Sequence, residues 1–209
     1  MRKSSLLPLL LLSTGFTNPA FAHHPMGGRI PVTFMEGLLS GLAHPMIGPD
    51  HLLVIIAVGL LAVGLSQGAW LAGSFVGATL LGTGLHLARL DIPATEVLIA
   101  GTVVLFGTLV FFSRSAGRSI GLSSLAPIAV CAGVLHGYAY GEAIVGAGAS
   151  PLVAYLLGFC AIQAVLVLGV RYLARWIATK GIAMARVNAI SGTAVSILGA
   201  ALVIVALNG

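Results

Sequence analysis

A chain of 209 residues with 58% hydrophobic and only 7% charged side chains, and a mean hydropathy of +1.09, is not an ordinary soluble domain, where about a quarter of residues carry charge. The formal net charge of +5 does not signal nucleic acid, because the cations are scattered between long uncharged runs instead of gathering on one solvated face. Cys131 and Cys160 sit inside apolar runs and do not form a disulfide framework.

Arg2 and Lys3 precede the apolar run Leu6 to Leu12, and Ala20-Phe21-Ala22 then offers the small-x-small pattern of a cleavage site. Residues 1–22 are expected to be a cleavable signal peptide, with an uncleaved anchor as the alternative. Cleavage leaves His23 first and the mature N-terminus on the periplasmic side of the inner membrane.

Residues 23–209 read as a single transmembrane domain. Charges are absent from Leu52 to Ala88, Val97 to Ser113, Ser119 to Gly141, Ala143 to Val170 and Val187 to Gly209, and each run is long enough for one span of about 20 residues. With a first span before them, they predict an all-α polytopic membrane protein of about six helices. The expected ranges are about 33–65 (interrupted), 69–88, 94–112, 122–142, 151–170 and 187–207. Threading from a periplasmic N-terminus puts Arg114, Arg118, Arg171, Arg175, Lys180 and Arg186 in cytoplasmic connections and only Arg29 and Arg89 opposite, the bias of the positive-inside rule. The acids and histidines gather on the other side, as a vestibule that captures cations needs.

Within the first span, Ala43-His44-Pro45-Met46-Ile47-Gly48-Pro49-Asp50-His51 sets three ionisable groups in an otherwise apolar segment. Such groups are costly at membrane depth and mark a functional site by default. His44 and His51 are two helical turns apart and would share a face, but Pro45, Gly48 and Pro49 interrupt the helix. A broken helix is tolerated where it is buried or lines a cavity, and its freed carbonyls can ligate cations. Asp50 could ligate directly or orient His51. The bland alternative is an Asp–His pair bracing a kink.

The fourth span carries His136-Gly137-Tyr138-Ala139-Tyr140-Gly141-Glu142. Gly133, Gly137 and Gly141 make a smooth stripe for close helix approach. His136 and Tyr140 stand one turn apart and could share a site, whereas Glu142 lies about 120° around the helix from His136, so one ion would not naturally take both. His86, near the end of the second span, and Glu96, in the first turn of the third, are weaker candidates; Glu96 also suits a helix start. Gln67 and Gln163 read as helix-to-helix hydrogen bonders, and Met26, Met46 and Met184 are too scattered for a copper ladder. Imidazole with carboxylate and no cysteine cluster suits a borderline divalent ion such as nickel, cobalt or zinc. The first and fourth spans, which hold the two richest motifs, run in opposite directions, as in transporters built from inverted repeats, although the halves share too little sequence to show it.

The pattern His44-Pro45-x-x-Gly48-x-Asp50-His51 followed by Ala57-Val58-Gly59, together with the His136–Glu142 motif and Ala154-Tyr155-Leu156-Leu157-Gly158-Phe159 with Gln163, resembles the HupE/UreJ family of bacterial nickel permeases over nearly the whole chain. The resemblance implies a secondary transporter, not an enzyme, that imports nickel or cobalt for metalloenzyme assembly, with the ion as cargo and no prosthetic group. It also implies functional roles for His44, Asp50, His51, Glu96, His136 and Glu142. Two departures bear on metal preference: Ile55 stands where many members have Met, and Tyr140 where others often have His. The competing readings are an intramembrane metal-dependent hydrolase, for which His-Glu-x-x-His and a Gly-x-Ser-x-Gly elbow are both lacking, and a haem protein using His51 with His136. The bilayer and the divalent ion are the expected partners; a homo-oligomer or a metallochaperone leaves no mark in the sequence.

Overall fold

The computed structural model describes residues 27–113 and 120–208. The expected signal segment, His23, His24, Arg114 and Arg118 lie outside them. Seven helices make up the described chain: α1 (Phe34–Ile47), α2 (Pro49–Val63), α3 (Gly68–Leu87), α4 (Thr95–Phe112), α5 (Leu122–Glu142), α6 (Ala149–Thr179) and α7 (Met184–Asn208), with no strand among the described residues. Helices α3 to α7 are each long and apolar enough to cross a membrane, and α1 with α2 passes the same test only as a pair bent by 77°, the shape of a broken span or of a re-entrant loop. The protein is an all-helical, multi-pass membrane protein. Its outward faces agree, for they are lined by side chains such as Val165, Ile190, Ile197 and Ile204.

The break has a local cause. Pro49 has no N–H to donate and its ring would collide with the carbonyl of Pro45, so the helix cannot continue through it. Gly48 takes an extended conformation (φ −71°, ψ 112°), as a residue before proline prefers. It caps both helices, its N–H donating to the His44 carbonyl at 3.2 Å and its own carbonyl accepting from Leu52 N–H at 3.0 Å. Pro49 then starts α2 at the position where a missing donor costs nothing. The entry to α1 is a capping box: Thr33 Oγ1 accepts from the Glu36 N–H, and Glu36 Oε2 accepts from the N–H groups of Val32 and Thr33.

Helix α2 is the axis of the bundle. Val54, Ile55, Ala57 and Val58 are fully enclosed, and α2 packs on α3, α4, α6 and α7, so a helix apolar on every side is buried on every side. Around it the other helices pair as α1 with α6, α3 with α5 and α4 with α7. Small residues set these pairs. A Cβ on Gly37 would strike the backbone of Pro151, and one on Gly41 that of Tyr155; likewise Gly133 lies on Phe75 and Gly137 on Thr79. The facing glycines match too, Gly158 resting on Leu38 and Leu42, and Gly82 on Val134 and Tyr138. One register shift takes Gly37, Leu38, Gly41 and Leu42 of α1 to Gly133, Val134, Gly137 and Tyr138 of α5, and another takes Phe75, Thr79 and Gly82 of α3 to Pro151, Tyr155 and Gly158 of α6. Between α4 and α7, Gly107 meets Gly192 and Ser196 while Gly192 meets Gly107 and Phe111, a contact that maps onto itself when the helices are exchanged. The packing therefore obeys a pseudo-two-fold relation between α1–α3–α4 and α5–α6–α7, with α2 outside the repeat.

The stretch from 171, expected as a connection, is helical as far as Thr179. Arginine is a good helix former, and Arg171 has a task at this depth: its Nε–H donates to the Ala62 carbonyl at 3.1 Å, where α2 runs out of partners. Gly181, with φ +78°, comes just past the end of the helix.

Candidate metal centre

The break delivers His44 in the last turn of α1 and Asp50 and His51 in the first turn of α2, while α5 supplies His136. All four are buried, His51 and His136 completely. His51 Nδ1 stands 2.7 Å from His136 Nδ1 and 4.0 Å from Asp50 Oδ2; one ligand atom each from Asp50, His51 and His136 falls within 4.8 Å of the others. The ring centroids of His44 and His51 are 5.6 Å apart, so both sides of the break face one centre even though the helix between them is not continuous.

The hydrogen bonds favour one assignment of the ring hydrogens. Thr102 Oγ1 of α4 donates to the Ile99 carbonyl at 2.7 Å, which uses its single hydrogen. At 2.9 Å from His136 Nε2, that hydroxyl can only accept, so His136 carries hydrogen on Nε2 and, as a neutral ring, a bare lone pair on Nδ1. The bond from His51 therefore runs from its Nδ1–H to His136 Nδ1. Tyr155 of α6 repeats the logic: its hydroxyl donates to the Tyr140 carbonyl at 2.8 Å and accepts the Nδ1–H of His44 at 2.8 Å. Outer partners of this kind fix the tautomer and orientation of metal-binding histidines. Two nitrogens bound at about 2.0–2.1 Å to one tetrahedral ion stand roughly 3.3 Å apart, so the hydrogen between His51 and His136 occupies the place an ion would take.

Aromatic rings enclose the cluster. Tyr140 lies 4.3 Å from the His51 ring and 5.0 Å from the His44 ring, between centroids; Phe159 backs Tyr140 and Phe75 backs His136. Gln163 donates to Thr79 Oγ1 at 3.3 Å, the helix-to-helix bond expected of it. The haem reading would set iron between His51 and His136, where Tyr140 packs on the His51 ring and Phe75 on the His136 ring.

The remaining candidates lie elsewhere. His86 is half-buried against Tyr138, at 4.5 Å between centroids, and lines a separate cavity of about 380 Å³ with Arg89 and Asp91. Glu96 in the first turn of α4 and Glu142 in the last turn of α5 are exposed. The structure thus gathers His44, Asp50, His51 and His136 and leaves His86, Glu96 and Glu142 outside the cluster. Thr102 and Tyr155 were not among the residues expected at the site; the only sequence signal of Thr102 is a hydroxyl inside an apolar span, whereas Tyr155 lies in the stretch Ala154–Phe159 that carries the family resemblance.

A bent, buried His/Asp cluster inside a bundle of spanning helices defines a membrane protein with a polar centre built at a helix break. The family model described as HupE / UreJ protein matches residues 10–202, and the chain belongs to that family. It is 31% identical over 189 residues to Protein HupE of Rhizobium leguminosarum bv. viciae, covering 89% of this chain and 92% of that protein. No solved structure matches it.

Proposed function

We propose that this protein is a permease for a divalent transition-metal ion, nickel or cobalt in the first place, which it carries from the periplasm to the cytoplasm across the inner membrane to supply metalloenzyme assembly. The observation that carries this reading is the convergence of Asp50, His51 and His136 in a buried centre at the sharp bend between α1 and α2. Nitrogen and carboxylate donors together suit borderline divalent ions. Three residues leave coordination positions open, so an ion can be released as well as bound, as conduction requires.

The site works through two features of this chain. Thr102 and Tyr155 hold the rings of His136 and His44 by hydrogen bonds. Binding between His51 and His136 replaces the hydrogen bond they share: the hydrogen on His51 Nδ1 moves to the other nitrogen of that ring, and both rings then turn Nδ1 to the ion. The orientation rests on charge: Arg171, Arg175, Lys180 and Arg186 gather where α6 ends and α7 begins, and that end lies in the cytoplasm by the positive-inside rule.

Uptake of nickel, cobalt, zinc and manganese, measured in parallel in cells expressing the chain, tests the proposal. Nickel or cobalt accumulation that is lost in Asp50→Ala, His51→Ala and His136→Ala, with the variants still inserted, is the expected result. Uptake at the wild-type rate in Asp50→Ala would remove the site assignment.

A further inference from the structure

Two tyrosines sit beside the histidine cluster, both fully buried, and they are satisfied differently. The Tyr155 hydroxyl has both of its roles filled, donating to a carbonyl and accepting from His44. The Tyr140 hydroxyl has no hydrogen-bond partner among the described residues. Buried polar groups are nearly always paired, and an exception asks for a reason. Packing does not supply one, since the contacts of Tyr140 with His44, His51 and Phe159 are made by its ring, and phenylalanine would make them without burying an idle hydroxyl.

We propose that the Tyr140 hydroxyl is an oxygen partner for the transported ion, accepting a hydrogen bond from a water molecule the ion keeps, and that it helps to select among divalent ions. The inference rests on the transport reading above. Asp50, His51 and His136 offer three protein donors, and an ion held by three carries water in its remaining positions. Tyr140 stands one helical turn beyond His136 on α5, with its ring against both His44 and His51, so a water on an ion at this centre falls within its reach. A neutral phenol is a poor direct ligand but a good acceptor from water polarised by a cation. Ions that prefer more than four ligands retain more water than zinc, which is content with four. A contact made through water therefore favours nickel and cobalt over zinc.

The test compares the full-length wild-type chain with Tyr140→Phe and Asp50→Ala in proteoliposomes, with nickel, cobalt and zinc supplied separately. The expected result for Tyr140→Phe is a roughly tenfold rise in the concentration giving half-maximal uptake of nickel and cobalt, the loss of one hydrogen bond to a charged partner, and a smaller rise for zinc. The metal-free protein should unfold at an unchanged temperature. Wild-type half-saturation for all three ions in Tyr140→Phe, while Asp50→Ala is inactive, overturns the inference and leaves the transport reading standing. Wild-type uptake in Asp50→Ala overturns both. If Tyr140→Phe does not accumulate in membranes, Tyr140→Leu decides: half-saturation raised more for nickel and cobalt than for zinc supports the role, and an unaltered ranking and half-saturation refute it.

Discussion

Helices α1 and α5 are the same scaffold element used twice. Each lies on its partner through glycines spaced one turn apart, Gly37 and Gly41 on α6, Gly133 and Gly137 on α3, and each brings a histidine to the centre of the molecule. They differ at their C-terminal ends. Helix α1 stops at Gly48 and hands the chain to α2 at 77°, adding Asp50 and His51, whereas α5 runs on unbroken to Glu142. The repeated helices supply position and one histidine each, and the unrepeated α2 adds Asp50 and His51.

The largest effect should come from damaging the shared scaffold. Gly41→Ala and Gly137→Ala each drive a methyl group into the backbone of the facing helix, costing about 3 kcal/mol or more, and detergent-solubilised yield and unfolding temperature should fall alike in both. Damage confined to one variant would break the equivalence of the halves. Gly77→Ala, with nothing near its Cβ position, should leave both measurements unchanged.

Next comes repair of the break. Gly48→Ala combined with Pro49→Ala restores the donor and the helical preference that the native pair lacks. Uptake of the proposed cargo should fall at least about tenfold while the protein stays folded, which sedimentation and uptake together would report; full activity would separate the chemistry from the bend.

The outer partners should matter less. Thr102→Val and Tyr155→Phe remove the groups that orient His136 and His44, and loss of such partners weakens metal affinity by about 10–100-fold. Calorimetric titration with nickel would show whether the two halves contribute equally. The smallest effects belong to Glu96→Gln and Glu142→Gln, which change exposed groups outside the cluster and should alter uptake by less than about threefold if the centre acts alone.

The helical, multi-pass architecture was legible because charge is expensive in lipid, so uncharged runs such as Val97 to Ser113 announce spanning helices. The break was legible for a covalent reason, since Pro49 cannot continue a helix. What the sequence hides is register between distant segments: that His136 meets His51 depends on how deeply Gly137 seats against Thr79, and no local pattern states it. Thr102 was invisible for the same reason, being one hydroxyl in an apolar run until α4 sets it beside α5. The expectation that α6 ends near 170 took charge as the mark of a helix end, whereas Arg171 marks a capping task within a continuing helix.

The joint at Gly48 is one residue long. Because proline fixes the torsion on its far side, almost all freedom between α1 and α2 resides in the two backbone angles of that glycine. Helix α2, 15 residues long, extends roughly 22 Å at 1.5 Å per residue, so a rotation of about 10° at the joint would sweep its remote end by roughly 4 Å. Arg171 grips that remote end. With that end held, the side chains nearest the joint are Asp50 and His51, at the start of α2.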